Sequence, residues 1–173
     1  MMSSTVANLR LQGDARSLAG AVSVTKLRAA SNFSQARLFI DLNARSYHIE
    51  TWQKTGTPGW VAEGGSTTLS SGVTFGFGAV TTPPPNTQAV IAQSTPCVAA
   101  VTGMNIANTA CVLFNSRGIP VDPLGVPPNV GAPTGNNALY LKDATAVYGL
   151  AVSATGMSKS FRTNLNATSW VQQ

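Results

Sequence analysis

Few residues of this 173-residue chain could carry acid–base chemistry. The single histidine, His48, stands two positions before Glu50 in a segment whose residues alternate between two faces. Side chains at positions i and i+2 of a strand lie on the same face, so these two could pair. No nucleophile or second base stands near them in the sequence. We therefore interpret His48 as a solvated or structural residue.

The remaining candidates for chemistry form no recognisable constellation. The six carboxylates show neither paired spacing nor a calcium-loop pattern; they are Asp14, Asp41, Glu50, Glu63, Asp122 and Asp143. Two cysteines are too few to hold a metal by themselves. No glycine-rich phosphate loop follows a strand and opens a helix. The sequence therefore predicts a protein that is not an enzyme, with no cofactor, no metal and no small-molecule substrate.

Cys97 and Cys111 lie at one long irregular segment, 79–110, and in the strand that follows it. Their spacing differs from that of a C-x-x-C redox motif. In an oxidising compartment we expect a disulfide between them, which would contribute about 3 kcal/mol on the chain-entropy model. The alternative is a pair of unpaired buried thiols.

The element that organises the chain is a predicted helix at 5–33. Apolar residues recur there at steps of three, four and seven, which places them on one helical face. We expect this face to pack on a sheet. Its residues are Leu11, Ala15, Leu18, Val22, Ala29 and Phe33. Leu9, Val24 and Leu27 lie on the opposite face. They are either scattered surface residues or the contact with a neighbouring subunit.

After the helix the apolar period changes from that of a helix to that of a strand. Strand-like segments follow at 36–42, 46–53, 73–78, 110–115, 138–142, 147–153 and 157–162, with a short strand near Trp60. The segments at 79–110 and 121–137 are rich in proline or glycine and predict long loops. Trp170, near the end of the chain, predicts a tail that packs back on the body. The pattern is α+β, with a long N-terminal helix packed on antiparallel sheets in a single domain.

Charge and composition indicate a loop-rich β protein that works outside the cytoplasm. Charged residues make up 10% of the chain, and the net charge is +5. An average soluble protein has about 25% charged residues. The basic residues are concentrated in the first forty positions but are too few for a dedicated polybasic patch. No apolar run approaches the roughly 18 residues of a membrane-spanning helix.

Short motifs in a fixed order resemble those of a known family. The helix runs into LRAASNFSQARLFIDLNARSYHIETW, an F-x-x-x-G turn follows at Phe114 and Gly118, and a V-S-x-x-G turn at Val152, Ser153 and Gly156. This order is similar to the GspH/FimT family of type II secretion minor pseudopilins and type IV minor pilins. The resemblance covers most of the chain except the loops at 79–110 and 119–137.

The resemblance implies a type IV pilin-like fold, in which 1–34 is the C-terminal half of the spine helix and 35–173 is the globular head. It implies a structural subunit that acts in filament assembly, initiation or tip function, with other pilin subunits as partners. Such proteins begin with a leader and about twenty apolar residues, which anchor them in the inner membrane. That segment is absent from this sequence, and we expect that the chain lacks its membrane half. The implied location is the periplasm or cell surface.

Two other functions are consistent with the residues. Some FimT-like members are implied to capture DNA through Gly-Arg-x-Arg, which aligns here with Gly156, Met157, Ser158 and Lys159; Arg162 follows three residues later. Lysine lacks the planar fork of arginine, so we expect at most weak DNA binding through Lys159 and Arg162. The second alternative is a surface- or carbohydrate-binding β domain that uses Trp52 and Trp60 as stacking platforms.

Overall fold

The computed structural model describes residues 2–173, so Met1 of the predicted 1–34 region lies outside the described residues. Helix α1 spans Met2–Ser31. Five members of the predicted apolar stripe are buried in the main core: Leu11, Ala15, Leu18, Val22 and Ala29. Thr25 lies on the same face, where its hydroxyl donates a 2.7 Å hydrogen bond to the carbonyl of Ala21. This bond satisfies the one buried polar group on that face.

The prediction that Phe33 is the sixth buried member of the stripe is wrong, because Phe33 is 75% exposed. The chain leaves the helix there, with Phe33 at a φ of 48°. The Phe33 N–H donates to Ala30 O (3.3 Å) and the Ser34 N–H to Ala29 O (3.1 Å). These bonds form a Schellman cap, whose C′ residue takes a left-handed conformation. That conformation turns the Phe33 side chain out of the helical stripe and into solvent.

Two five-stranded antiparallel sheets follow the helix. The first contains β1 (Ala36–Asp41), β2 (Ser46–Gln53), β3 (Gly59–Thr68), β5 (Thr109–Phe114) and β6 (Pro120–Val121) in the order β3-β2-β1-β5-β6. The second contains β4 (Thr74–Phe75), β7 (Asn137–Lys142), β8 (Ala146–Val152), β9 (Ser158–Asn164) and β10 (Val171–Gln172) in the order β10-β9-β8-β7-β4. The predicted α+β class, with a helix on antiparallel sheets, is confirmed.

Two of the predicted strands differ in length from those observed. The segment predicted at 73–78 keeps only Thr74–Phe75 as strand, because Gly76 and Gly78 take positive φ values of 142° and 59° and turn the chain. In contrast, the strand near Trp60 extends over Gly59–Thr68. A register shift against β2, between Tyr47 and Ile49, accommodates the additional residues of β3.

The main core is shared by the helix and both sheets. It joins the buried face of α1 to Leu38 and Ile40 of the first sheet and to Leu139 and Leu141 of the second. A smaller cluster lies around Tyr140 on the other face of the second sheet. Trp170 packs against this cluster and donates a 2.8 Å hydrogen bond from Nε1 to Thr82 O. The predicted docking of the tail is thus confirmed.

Over the described residues, no helix combines the length and the apolar character needed to cross a bilayer.

Candidate functional site

One face of α1 is left uncovered by the rest of the domain. Leu9, Val24 and Leu27, interpreted from the sequence as either scattered surface residues or a subunit contact, are all exposed, and Val6 is exposed beside Leu9 near the start of the helix. They lie on the far side of the helix from Leu18 and Val22. Large apolar side chains exposed near both ends of one helix face make that face a candidate interaction surface.

The two glycine motifs meet in space beside the helix. Gly118 and Gly156 have φ values of 72° and 77°, and a Cβ atom at Gly156 would lie 3.1 Å from Phe114 Cε1. Lys26 of α1 crosses both turns, and its Nζ donates a 2.9 Å hydrogen bond to Thr155 O. The F-x-x-x-G and V-S-x-x-G turns therefore form one junction between the helix and the two sheets.

The outer face of the first sheet carries a buried ion pair. Arg37 is only 4% exposed. Its Nε lies 2.5 Å from Glu50 Oε2, and its Nη1 donates a 2.7 Å hydrogen bond to Val98 O. The guanidinium carbon stands 4.2 Å from the centroid of the Trp60 ring. Burial lowers the pKa of Arg37, while the charge of Glu50 and its hydrogen bond act in the opposite direction.

His48 completes this cluster. Its Nε2 lies 3.2 Å from Glu50 Oε1, and its ring stacks on Phe39 with centroids 5.0 Å apart. The Glu50 carboxylate thus contacts both Arg37 and His48, which satisfies it without leaving a free base. The geometry agrees with the interpretation of His48 as a structural residue. Arg37 was not among the predicted site residues, although the sequence carries a signal for it: in the hairpin predicted from 36–53, Arg37 is directly opposite Glu50.

The tryptophans do not form a stacking platform. Trp52 is only 7% exposed, so the prediction that it serves as a stacking platform is wrong. It is directly opposite Trp60 across β2 and β3, and the two rings meet edge to face at 5.2 Å. The face of the Trp60 ring is in turn covered by Arg37. Trp52 is buried because both tryptophan rings point to the outer face of the sheet, where they cover each other.

The structure contains the predicted disulfide. Cys97 and Cys111 are bonded, with Cα atoms 4.9 Å apart, and both are fully buried. The bond attaches a small hairpin to β5. In this hairpin Val98 bridges Asn105, and the Ile106 N–H donates a 2.7 Å hydrogen bond to Cys97 O. Together with the contact from Arg37 to Val98, the disulfide holds the end of the 79–110 loop over the outer face of the first sheet.

Lys159 and Arg162, the DNA-binding candidates, are not brought together. Both lie on β9, but three residues apart, and an odd spacing on a strand sends side chains to opposite faces. The Arg162 side chain donates a 3.4 Å hydrogen bond from Nη2 to Asn8 Oδ1 of α1. The exposed Lys159 side chain lies on the other face, with Phe161. The pair therefore forms no common basic surface.

Within residues 2–173, the acidic, histidine and cysteine side chains form no group of three or more that could hold a metal ion.

A long N-terminal helix laid across antiparallel sheets defines a type IV pilin-like fold. The fold is similar to that of the minor pseudopilin EpsH from the type II secretion system of Vibrio cholerae. One EpsH structure matches with a TM-score of 0.50 at 12% identity, over 87% of this chain and 94% of EpsH. A second EpsH structure matches with a TM-score of 0.49 at 12% identity, over 87% and 92%.

At this level of identity the likeness to EpsH establishes the fold, and the fold is that of a minor pseudopilin. No protein-family model matches the sequence. None of the curated proteins matches it either.

Proposed function

We propose that this protein is a structural minor pseudopilin subunit of a type II secretion filament, acting in filament assembly, initiation or tip function. The observation that carries the proposal is the uncovered apolar face of α1, formed by Leu9, Val24 and Leu27, on a pilin-like fold. Burial of such side chains against a neighbour contributes roughly 25 cal/mol per Å² of apolar area. The partners would be other pseudopilin subunits, packed along this face.

The disulfide supports a location in an oxidising compartment. Bonds such as Cys97–Cys111 persist in the periplasm and are rare in the cytosol. We infer that the protein works in the periplasm, attached to the inner membrane before assembly by the apolar helix that the pseudopilin resemblance implies. The choice of a type II secretion system over a type IV pilus rests on the similarity to EpsH.

The proposal is tested in cells that depend on this protein for secretion. Leu27 and Met157 are each 66% exposed, but only Leu27 lies on α1. Leu27→Glu combined with Leu9→Glu should abolish incorporation into the filament and secretion of the exported substrate. Met157→Glu is the matched control and should preserve both. Site-specific cross-linking from position 27 should capture another pseudopilin.

Normal secretion and incorporation by the Leu9→Glu/Leu27→Glu variant would show that this helix face is not an assembly surface. The purified variant must retain the thermal midpoint of the parent protein, because both side chains are exposed. A loss of secretion can then be attributed to assembly and not to folding.

A further inference from the structure

Strand β3 is a long open edge of the first sheet. It pairs only with β2 and lies at the end of the order β3-β2-β1-β5-β6. Within residues 2–173, the strands at the other three sheet edges, β4, β6 and β10, are each two residues long, whereas β3 has ten. Most of its residues are exposed. An edge of this length presents unpaired main-chain groups to any second strand.

The direction of those groups follows from the ladder. The Trp52 N–H donates a 2.9 Å hydrogen bond to Gln35 O, on the β1 side of β2. Backbone groups alternate along an antiparallel strand, so Thr51 points toward β3 and forms a hydrogen-bonded pair with Val61. Trp60 and Ala62 consequently direct their N–H and C=O groups away from the sheet. Among the described residues these groups have no hydrogen-bond partner.

The usual protection of such an edge is weak between Gly59 and Glu63. Proteins guard open edges with lysine, proline, bulges or inward-pointing charges. This stretch has neither lysine nor proline. Its one charge, Glu63, does point inward toward the helix, but it is neutralised there by Arg28, whose Nε lies 2.9 Å from Glu63 Oε2. The bulge comes only after this stretch, where Gly64 takes a φ of 71°. The regular ladder therefore stays open over residues 59–63.

We propose that this edge pairs with the same edge of a second copy of the chain, antiparallel about a twofold axis at Val61. In that register Trp60 faces the partner's Ala62 and exchanges both main-chain hydrogen bonds with it. Val61, 45% exposed in the monomer, is covered by the partner's Val61. Glu63 faces the partner's Gly59, so that no carboxylate opposes another.

The neighbouring registers are disfavoured by the residues that flank this stretch. A shift toward the start of β3 places Pro58 opposite Ala62, and proline has no N–H to donate. The same shift sets one Trp60 ring against the other. A shift in the opposite direction runs into the bulge at Gly64 and places Glu63 against Val61. The pairing centred on Val61 avoids the missing proline donor, the opposed Trp60 rings and the bulge. This fit favours a second copy of β3 as the strand that pairs with this edge.

This inference does not rest on the proposed secretion role, because it concerns the main-chain groups of β3 and not the side chains of Leu9, Val24 and Leu27. Its first test is cross-linking of the purified chain. Residues opposite each other in a non-hydrogen-bonded pair have Cα atoms about 4.5 Å apart, within the range of about 4.4–6.8 Å for a disulfide. Val61→Cys should therefore give a covalent dimer under mild oxidation, since both native cysteines are already bonded to each other.

Glu63→Cys is the matched control for this cross-link. It lies on the same face of β3, but the two copies of position 63 are offset along the paired strands. It should yield only background dimer. A Val61→Cys yield no higher than that of Glu63→Cys overturns the proposal.

The second test removes the outward N–H of Ala62, a change that should not lower the stability of the monomer. Ala62→Pro loses a donor that has no partner in the monomer, and proline is tolerated on edge strands in that orientation. In sedimentation equilibrium over a concentration series, the parent chain should approach twice its monomer mass, while Ala62→Pro stays at monomer mass with an unchanged thermal midpoint. A parent chain that is monomeric at every concentration, or association that survives Ala62→Pro, overturns the proposal.

Discussion

Gly156 lies directly against Gly118: a Cβ atom at Gly156 would stand 2.9 Å from the carbonyl oxygen of Gly118. The two glycines come from turns far apart in the sequence, and both have positive φ values. A side chain at Gly156 would also meet Lys26 Cδ at 3.2 Å. The two short motifs are therefore parts of one junction, in which the first sheet, the second sheet and the helix are held together.

Substitution of this glycine should destabilise the domain. Gly156→Ala adds a Cβ atom in a left-handed conformation, which costs about 1–2 kcal/mol before the clash with Gly118 is counted. Gly13→Ala is the control, because a Cβ atom at Gly13 meets nothing within 4 Å and alanine favours the helix by about 1 kcal/mol. Urea denaturation should show a lower free energy of unfolding for the first variant and a higher one for the second. Equal free energies of unfolding for the two variants would contradict the close contact between Gly156 and Gly118.

The buried and exposed faces of α1 should respond differently to the same charge. Leu18→Asp places a carboxylate in the fully buried contact between helix and sheets, and should strongly lower the thermal midpoint. Leu27→Asp places it on the exposed face and should change the free energy of unfolding by no more than about 0.5 kcal/mol. Differential scanning calorimetry of both variants makes the comparison. An unchanged midpoint for Leu18→Asp would show that the stripe is not the buried face.

The ion pair between Arg37 and Glu50 should show strong coupling in a double-mutant cycle. Glu50→Gln leaves the buried guanidinium without its counter-charge, and breaking a buried pair in this way costs about 3–5 kcal/mol. Arg37→Met leaves Glu50 Oε2 and the Val98 carbonyl without the donor that Arg37 provides. The double variant should lose less stability than the sum of the two single variants. Additive losses in guanidinium denaturation would mean that the two groups act independently.

The disulfide makes a prediction for thiol chemistry. Denatured, unreduced protein from an oxidising compartment should contain no titratable thiol, because Cys97 and Cys111 are bonded. Replacement of both cysteines by serine should lower the free energy of unfolding by about 3 kcal/mol. Titration with a thiol reagent and urea denaturation provide the two measurements. Detection of two thiols in the unreduced protein would contradict the structure.

Buried tyrosines should make the fold sensitive to alkali. Burial raises the pKa of Tyr140 well above its ordinary value, and burial together with the charge of Asp14 raises that of Tyr47. In the unfolded chain a tyrosine loses its proton near pH 10. Above that pH the unfolded state binds fewer protons than the native state, so stability is complete below about pH 10 and falls as the pH rises.

Tyr140→Phe tests the origin of this alkaline loss. The variant loses the 2.9 Å hydrogen bond from the Tyr140 hydroxyl to Gln88 Oε1, so it should be less stable than the parent at neutral pH. Its free energy of unfolding should nevertheless fall less steeply above pH 10. The check is denaturant unfolding at several pH values. Parallel curves for parent and variant would assign the alkaline loss to other groups.

The sequence by itself determined the elements whose signals are local. The stripe from Leu11 to Ala29 follows from the helical period, and the hairpin of β1 and β2 follows from alternation around a short polar turn. The helix end was missed because Phe33 continues the apolar spacing. Phe33 leaves the stripe because the backbone hydrogen bonds of the cap turn the chain there, on its way into β1.

Tertiary structure alone decided which distant residues meet. The burial of Arg37 depends on Glu50, on Trp60 and on a carbonyl from the 79–110 loop, and that loop is positioned by the disulfide. The pairing of Cys97 with Cys111 stayed one of two alternatives until their distance was known. The open edge at β3 exists because of sheet order, which no segment specifies by itself. The physical reason is that periodicity is a property of one segment, whereas strand pairing and burial depend on contacts between segments that lie far apart in the chain.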